Sequence, residues 1–354
     1  MARGASTKGL SAEARQGLII VSPALGYALL LLAVPLLTII LFSFWTQNFL
    51  TIDRTFTLEN YREALTDPLY RALMLRSLRI SASVTAVTVV LAFPIAYYIS
   101  FHVRPEKKAL WLFLITIPFW TSYLIRTFLW RVILAYDGPI NGTLIGLGVI
   151  EEPLSFILYN ANAVVITLAH AFAPFAILPI FVSLEKIDRS LLEAARDLGE
   201  ATVMTFIRVT LPLAMPGVLA AVLIVSIPTV GDYVTPRLVG GSGGTMIANM
   251  IYVQIFDLSN RPMGATLAVF AMAWVTITLA WGIMHIRFWV HLSDSYGLWV
   301  AAVAAAVDIG ILWWLLVNGD AWFGPAGTLG IMAAIMAGGA IAIAWFRPKG
   351  RWGI

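Results

Sequence analysis

The chain has 354 residues, 60% of them hydrophobic and 12% charged, with a formal net charge of +4 and no cysteine. A soluble domain carries about twice that share of charge. Together with a mean hydropathy of +0.86, the composition excludes a water-soluble globule, disulfides and cysteine-ligated metal centres. The Lys and Arg residues lie in short clusters between apolar runs, a pattern that membrane topology explains without a nucleic-acid partner.

In chain order, a polar tail at 1–17 precedes an apolar run at 18–45, too long for the core of a cleaved leader and therefore read as a retained first span. Crossing the hydrocarbon core takes about 20 apolar residues. Further spans are expected at 77–101, 109–134, 159–184, 211–231, 265–287, 297–317 and 327–346. Pro23, Pro35, Pro94, Pro118, Pro174 and Pro179 fall inside these runs and are expected to kink them rather than end them. Between the spans, TLENYREALTDPLY at 57–70 predicts a short amphipathic helix stopped at Asp67-Pro68. The segment 135–143 reads as a turn, and the glycine-rich 239–245 as a flexible loop. Basic residues are enriched in 1–17, 102–108, 185–210, 287–296 and 346–354, which places both termini in the cytoplasm, with 48–79 as a basic segment outside.

The segment 185–210 is a polar island in this apolar chain. Leu191, Leu192, Ala195 and Leu198 fall at helical spacing and are expected to share one packed face. Asp188 or Ser190 can cap the start, and Gly199 supplies a residue able to take the left-handed conformation at the end. A second helical stretch at 201–208 leads to Leu211-Pro212, where the next span is expected to begin. An ordinary connector lying at the lipid headgroups is the plain alternative. The length of the island, and the mixed signs of Glu193, Arg196, Asp197, Glu200 and Arg208, suit a protein partner better.

Glu193-Ala194-Ala195, three residues, Gly199, nine residues, Val209, one residue, Leu211-Pro212 resembles the EAA loop of binding-protein-dependent ABC importer permeases, with Val209 standing where that family usually has Ile. SPALGYALLLLAVPLLTIILFSF, LITIPFWTSYLIRTF, GDYVTPRLVGG, MIANMIYVQI and RPMGATLAV are similar to the spermidine/putrescine branch, specifically its PotB-like permeases. The resemblance covers residues 18–290 and implies an all-α, polytopic transmembrane helical bundle: a type I ABC importer permease core of six spans. Two more spans follow in a C-terminal extension at 291–354, whose Gly338-Gly339 and Ala-rich faces suit close helix packing.

The resemblance further implies that the loop at 185–212 docks in a groove of an ATP-binding subunit, with Glu193, Ala194, Ala195, Gly199, Val209, Leu211 and Pro212 carrying the coupling. The implied partners are a second permease (PotC-like), two ATP-binding subunits (PotA-like) and a periplasmic substrate-binding protein (PotD-like), assembled in a bacterial inner membrane. No covalent catalysis and no cofactor are expected of this chain. Its glycine loop at 240–244 lacks the G-K-[ST] ending of a phosphate-binding loop.

Along the solute path, a small cation is expected to favour aromatic faces and a carboxylate. Trp120, Tyr123, Asp232 and Tyr233 are the candidates, with pairing of Asp232 to Arg237 as an equal alternative. Arg126 would repel a cation and is read as the structural partner of an acid or of backbone carbonyls, and His170 as a neutral packed residue. Two rival functions stay open. One is the same machinery with another cargo (an opine, an aminophosphonate, thiamine or ferric iron). The other is a proton-coupled secondary transporter using His170, Asp232 and Asp308.

Overall fold

A computed structural model describes residues 12–49 and 51–296. The expected spans at 297–317 and 327–346, Asp308, Gly338-Gly339 and most of the N-terminal tail lie outside the described residues. The elements in order are α1 (Ala12–Phe42), β1 (Thr46–Asn48), β2 (Thr51–Asp53), α2 (Glu59–Thr66), α3 (Pro68–Phe101), α4 (Pro105–Thr116), α5 (Tyr123–Ile133), α6 (Pro139–Gly146), α7 (Ala161–Glu185), α8 (Arg189–Asp197), α9 (Thr202–Thr205), α10 (Leu211–Val230), α11 (Ile247–Tyr252) and α12 (Arg261–Tyr296).

Five stretches are helical, long and apolar enough to cross a membrane: Ile19–Phe42, Pro68–Phe101, Ala161–Glu185, Thr202–Val230 and Arg261–Ala280. A helix can cross lipid because it satisfies its own backbone N–H and C=O groups. The run expected as one span at 109–134 is instead a broken pair, Pro105–Trp120 and Tyr123–Ile133, meeting at 85°. Pro118 sits in a short 3₁₀ turn at this break, so here proline ends a helix, whereas Pro23, Pro35, Pro94, Pro174 and Pro179 all lie inside continuous ones.

Local chemistry explains the boundaries. The Asp67-Pro68 stop is also a start: the Asp67 carboxylate accepts from the Leu69 N–H at 2.7 Å, and Pro68 opens α3 where its missing N–H costs nothing. α3 has 34 residues, a length of about 51 Å, so it reaches beyond the hydrocarbon on one or both sides. The expected turn at 135–143 becomes α6 in its second half, because the buried Asn141 amide ties Ala135 O (3.1 Å) to the Leu154 N–H (3.0 Å). The glycine stretch expected to be a flexible loop is packed at Val239, Gly240 and Gly244 and exposed between them. Pro236–Gly240 forms a π-helical turn, and Gly241 (φ +53°) lies so close to the Tyr159 carbonyl that a Cβ there would sit 2.4 Å from the oxygen. A two-stranded antiparallel hairpin, β1 on β2, follows the first span and was not anticipated from the sequence.

The core is the contact of α3, α7 and α10, where Ile80, Val84, Ala92 and Ala96 meet Leu168, Ala176, Ile180 and Leu184, with Ala214, Ala221 and Val225 closing the third side. Lipid offers no hydrophobic drive between helices, so small residues that permit close approach hold such a bundle together. A Cβ on Gly217 of α10 would sit 2.4 Å from the Pro179 carbonyl and 2.5 Å from Ser183 Cβ of α7. A second cluster joins Tyr70, Leu73 and Met74 of α3 to Ile247 of α11 and Met263 and Leu267 of α12.

Gly217→Ala is expected to force α7 and α10 apart and cost about 2 kcal/mol, read as a lowered unfolding midpoint in detergent. Gly26→Ala, where nothing among the described residues lies within 4 Å of a Cβ, should not lower that midpoint.

Candidate functional site

The polar island folds as a helical knuckle. Asp188 caps α8 through its carboxylate, which accepts from the Ser190 N–H at 3.0 Å. That hydrogen bond holds the Asp188 carboxyl below its ordinary range. At the other end, the Gly199 N–H donates to Arg196 O (2.9 Å) and the Glu200 N–H to Ala195 O (3.1 Å), with Gly199 at φ +82°. This pair of bonds around a left-handed glycine is the Schellman arrangement, and it turns the chain sharply out of α8.

The packed face of α8 is narrower than the spacing predicted. Leu192 and Ala195 are buried, but Leu191 is half exposed and Leu198 is 86% exposed. Leu198 is the C-terminal residue of the turn, already swinging away from the helix axis, and so it leaves the stripe. Glu193, Ala194, Arg196, Asp197, Leu198 and Val203 are exposed together, a mixed-sign and partly apolar surface. Beyond Gly199, the second stretch is not a loop. Thr202–Thr205, a π-helical segment Phe206–Thr210 and α10 run on as one helix, with Pro212 just after the bulge. The Leu211 N–H reaches back to Phe206 O, and Pro212 has no N–H to offer, a local cause for the widened turn. Val209, Leu211 and Pro212 therefore stand on the entrance of a membrane helix, separated from Glu193-Ala194-Ala195 by the glycine turn. Phe206 meets the rings of Phe93 (5.6 Å) and Tyr97 (5.9 Å) edge-on, pinning this entrance to α3, and Arg208 pairs with Glu200.

The root of the knuckle holds residues that the sequence reading did not single out. Glu185 Oε1, at the end of α7, accepts from Ser100 Oγ (2.6 Å) and Lys108 Nζ (2.7 Å) and lies 3.5 Å from the Arg189 guanidinium. The i, i+4 spacing of Glu185 and Arg189 was visible in the sequence; the approach of Ser100 and Lys108 was not.

At the other end of the bundle, the solute-path candidates divide. The Tyr123 hydroxyl donates to Asp232 Oδ2 at 2.6 Å and lies 2.6 Å from Thr235 Oγ1. Asp232 Oδ1 accepts from the backbone N–H of Val234 (2.9 Å) and Thr235 (3.4 Å). The alternative pairing with Arg237 is not formed: that guanidinium lies 4.9 Å from the Tyr252 ring centroid, and Tyr233 stacks on the same ring at 5.3 Å. Tyr123 and Asp232 are thus together, Tyr233 stands apart in an aromatic stack, and Trp120 is 75% exposed at the break between α4 and α5.

Arg126, 7% exposed, takes carbonyl partners: NH1 donates to Ala171 O (3.3 Å) and NH2 to Thr121 O (3.2 Å). His170 is exposed on the surface of the chain rather than packed, and its Nδ1 accepts from Trp130 Nε1 at 3.1 Å. An accepting Nδ1 carries no proton, as in a neutral imidazole. Among the described residues, no group of three His, Asp or Glu could hold a metal ion.

This helical arrangement has solved counterparts. A bacterial ABC transporter that imports the acidic polysaccharide alginate matches with a TM-score of 0.56 at 14% identity, over 80% of this chain and 97% of that one. The same type of transporter, solved in complex with an alginate pentasaccharide-bound periplasmic protein, matches with a TM-score of 0.58 at 14% identity, over 80% and 96%. These likenesses show that the chain shares the fold of those chains. No protein-family model matches the chain. The spermidine/putrescine transport system permease protein PotB of Salmonella typhimurium is 38% identical over 77% of this chain and 92% of its own length, and PotB of Escherichia coli is 38% identical over 75% and 93%. The inner membrane ABC transporter permease YdcU of Escherichia coli is 33% identical over 73% and 89%. The chain belongs to the PotB family of ABC importer permease subunits, which are non-catalytic membrane components.

The Asp188 cap has a measurable signature. Because the folded carboxyl titrates below its unfolded value, the cap is fully present at neutral pH and fades only as pH falls through the depressed value. Asp188→Ala should raise hydrogen exchange of the first α8 amides about fivefold. In the native chain, their protection should not change between about pH 5 and 8 once intrinsic exchange is corrected.

Proposed function

We propose that this chain is the permease subunit of an ATP-driven polyamine importer, taking up spermidine, putrescine or a closely related small cation. The observation that carries the cargo is the Asp232 carboxylate. Among the described residues its hydrogen bonds from Tyr123, Val234 and Thr235 come from neutral donors, a hydroxyl and two backbone N–H groups, and the pairing with Arg237 is not formed. Kinship with permeases named for spermidine and putrescine supports the same cargo. An ammonium group arriving at Asp232 would displace the Tyr123 hydroxyl and gain both a carboxylate and aromatic faces, those of Tyr123 and of Trp120 at the break.

The knuckle is the coupling element of this proposal. With both termini inside, it lies on the cytoplasmic face, and its exposed Glu193, Ala194 and Leu198 dock on an ATP-binding subunit. Ala195 packs it down, and Gly199 turns it toward Val209, Leu211 and Pro212 at the head of the next membrane helix. Closure of two ATP-binding subunits then moves the helix entrance and opens the path on the opposite side. A second permease completes the pore, and a periplasmic binding protein delivers the cation; these are PotC-, PotA- and PotD-like partners in the bacterial inner membrane. The domains are a tail at 1–17, a permease core at 18–290 and an extension at 291–354.

In proteoliposomes holding the full importer, Asp232→Asn should raise the half-saturating spermidine concentration about tenfold while leaving basal ATP hydrolysis intact. Unchanged saturation, or thiamine or ferric iron outcompeting spermidine, would reject the cargo. Gly199→Val and Glu193→Lys should insert normally yet lose binding-protein-stimulated ATP hydrolysis. Wild-type stimulation in both variants would sink the coupling role.

A further inference from the structure

Four helix ends converge at the root of the knuckle, and their chemistry is unusual. Ser100 is next to last in α3, so its carbonyl is one of those a helix leaves without an intrahelical N–H, at the negative end of the helix dipole. Two cations bind this one oxygen: Lys108 Nζ, from α4, and Arg189 NH2, from α8, each at 2.9 Å. The Arg189 guanidinium also lies 3.9 Å from the Phe101 ring centroid. Two like charges sharing one carbonyl repel each other. What offsets that repulsion is Glu185 Oε1 at the end of α7, 2.7 Å from the lysine and 3.5 Å from the arginine, and hydrogen-bonded by Ser100 Oγ at 2.6 Å.

We propose that Glu185 is a positioning residue for transport: by neutralising Lys108 and Arg189 on the Ser100 carbonyl, it locks the root of α8 to the ends of α3, α4 and α7, so that displacement of the knuckle moves those helices as one body. The proposal rests on the docking role given to α8 above. Without the junction, α8 keeps its chain connections to α7 and, through the Gly199 turn, to α9, together with the burial of Leu192 and Ala195. Motion entering α8 would then be absorbed in part at residues 186–188, leaving the ring contacts of Phe206 with Phe93 and Tyr97 as its route to α3 among the described residues.

Glu185→Gln keeps the shape and the hydrogen-bonding oxygen but removes the charge, leaving Lys108 and Arg189 opposed. In the complete importer, this variant should hydrolyse ATP under binding-protein stimulation within about twofold of wild type, while solute moved per ATP falls about tenfold, the scale of one lost charged hydrogen bond. Adding Lys108→Met to Glu185→Gln removes the repulsion and should recover uptake per ATP to within about threefold of wild type. A contact that merely held the fold together would make the double variant worse than the single one. The chain has no cysteine, so Leu198→Cys gives a clean cross-linking probe of docking on the ATP-binding subunit. No cross-link in the otherwise native chain would overturn the docking role and this proposal with it. A cross-link accompanied by wild-type uptake per ATP in Glu185→Gln, or by a double variant worse than the single, would overturn the proposal alone.

Discussion

The fit of α10 against α7 is the constraint on which the other arrangements depend. At Gly217, the two helices approach until the space of a single methyl group is gone. That closeness brings α3 into the same seam through Ala92, Ala96 and Ala221. In a bilayer, where a leucine gains nothing by leaving lipid for protein, this geometric closeness takes the place that apolar burial has in a soluble core. The trio is therefore a rigid frame with a polar fitting at each end. One end carries the knuckle and its four-helix root; toward the other, Tyr123 of α5 reaches Asp232 just past α10.

The two fittings differ in how they hold charge. At the root, one carboxylate, two cations and a helix-terminal carbonyl are mutually satisfied. At Asp232, the charge is solvated by neutral donors among the described residues. The first arrangement stabilises one geometry strongly, and the second leaves a negative charge available to a cation. A machine that passes motion from one end and receives a solute at the other would use the two kinds of site in these places.

Much of this was legible in the sequence, for reasons that can be named. Five of the expected spans were legible because lipid demands uninterrupted apolar length, and the knuckle because Asp188 and Gly199 are strong local signals whose geometry does not depend on the rest of the chain. The broken span was missed because Pro118 looks the same as Pro94 in sequence. One lies in the 3₁₀ turn leading into an 85° break that Arg126 ties across to Ala171 O, and the other inside a continuous helix, a difference set by tertiary partners. Of the two options left for Arg126, backbone carbonyls proved to be the partners. The even choice for Asp232 resolved away from Arg237, whose guanidinium found the Tyr252 ring instead. The exposure of Leu198 escaped periodicity, which does not mark where a helix stripe ends, and the burial of Val239, Gly240 and Gly244 escaped composition, because it depends on tertiary neighbours such as Tyr159. The Ser100 carbonyl could not have been found at all: a backbone oxygen has no letter in the sequence.

Gly199 and Gly217 look alike in the chain, yet they record two different pressures. A Cβ at 217 collides with α7, so the position measures volume, and substitutions there grade by size. At 199 nothing among the described residues lies within 4 Å of a Cβ, and the demand within them is the torsion φ +82°. Side-chain bulk matters little there, and asparagine, the residue that best tolerates that torsion, becomes the natural neighbour in sequence space. The helix seam can therefore drift only through coordinated changes on both helices, while the elbow of the knuckle can change by a single substitution without consulting any other residue.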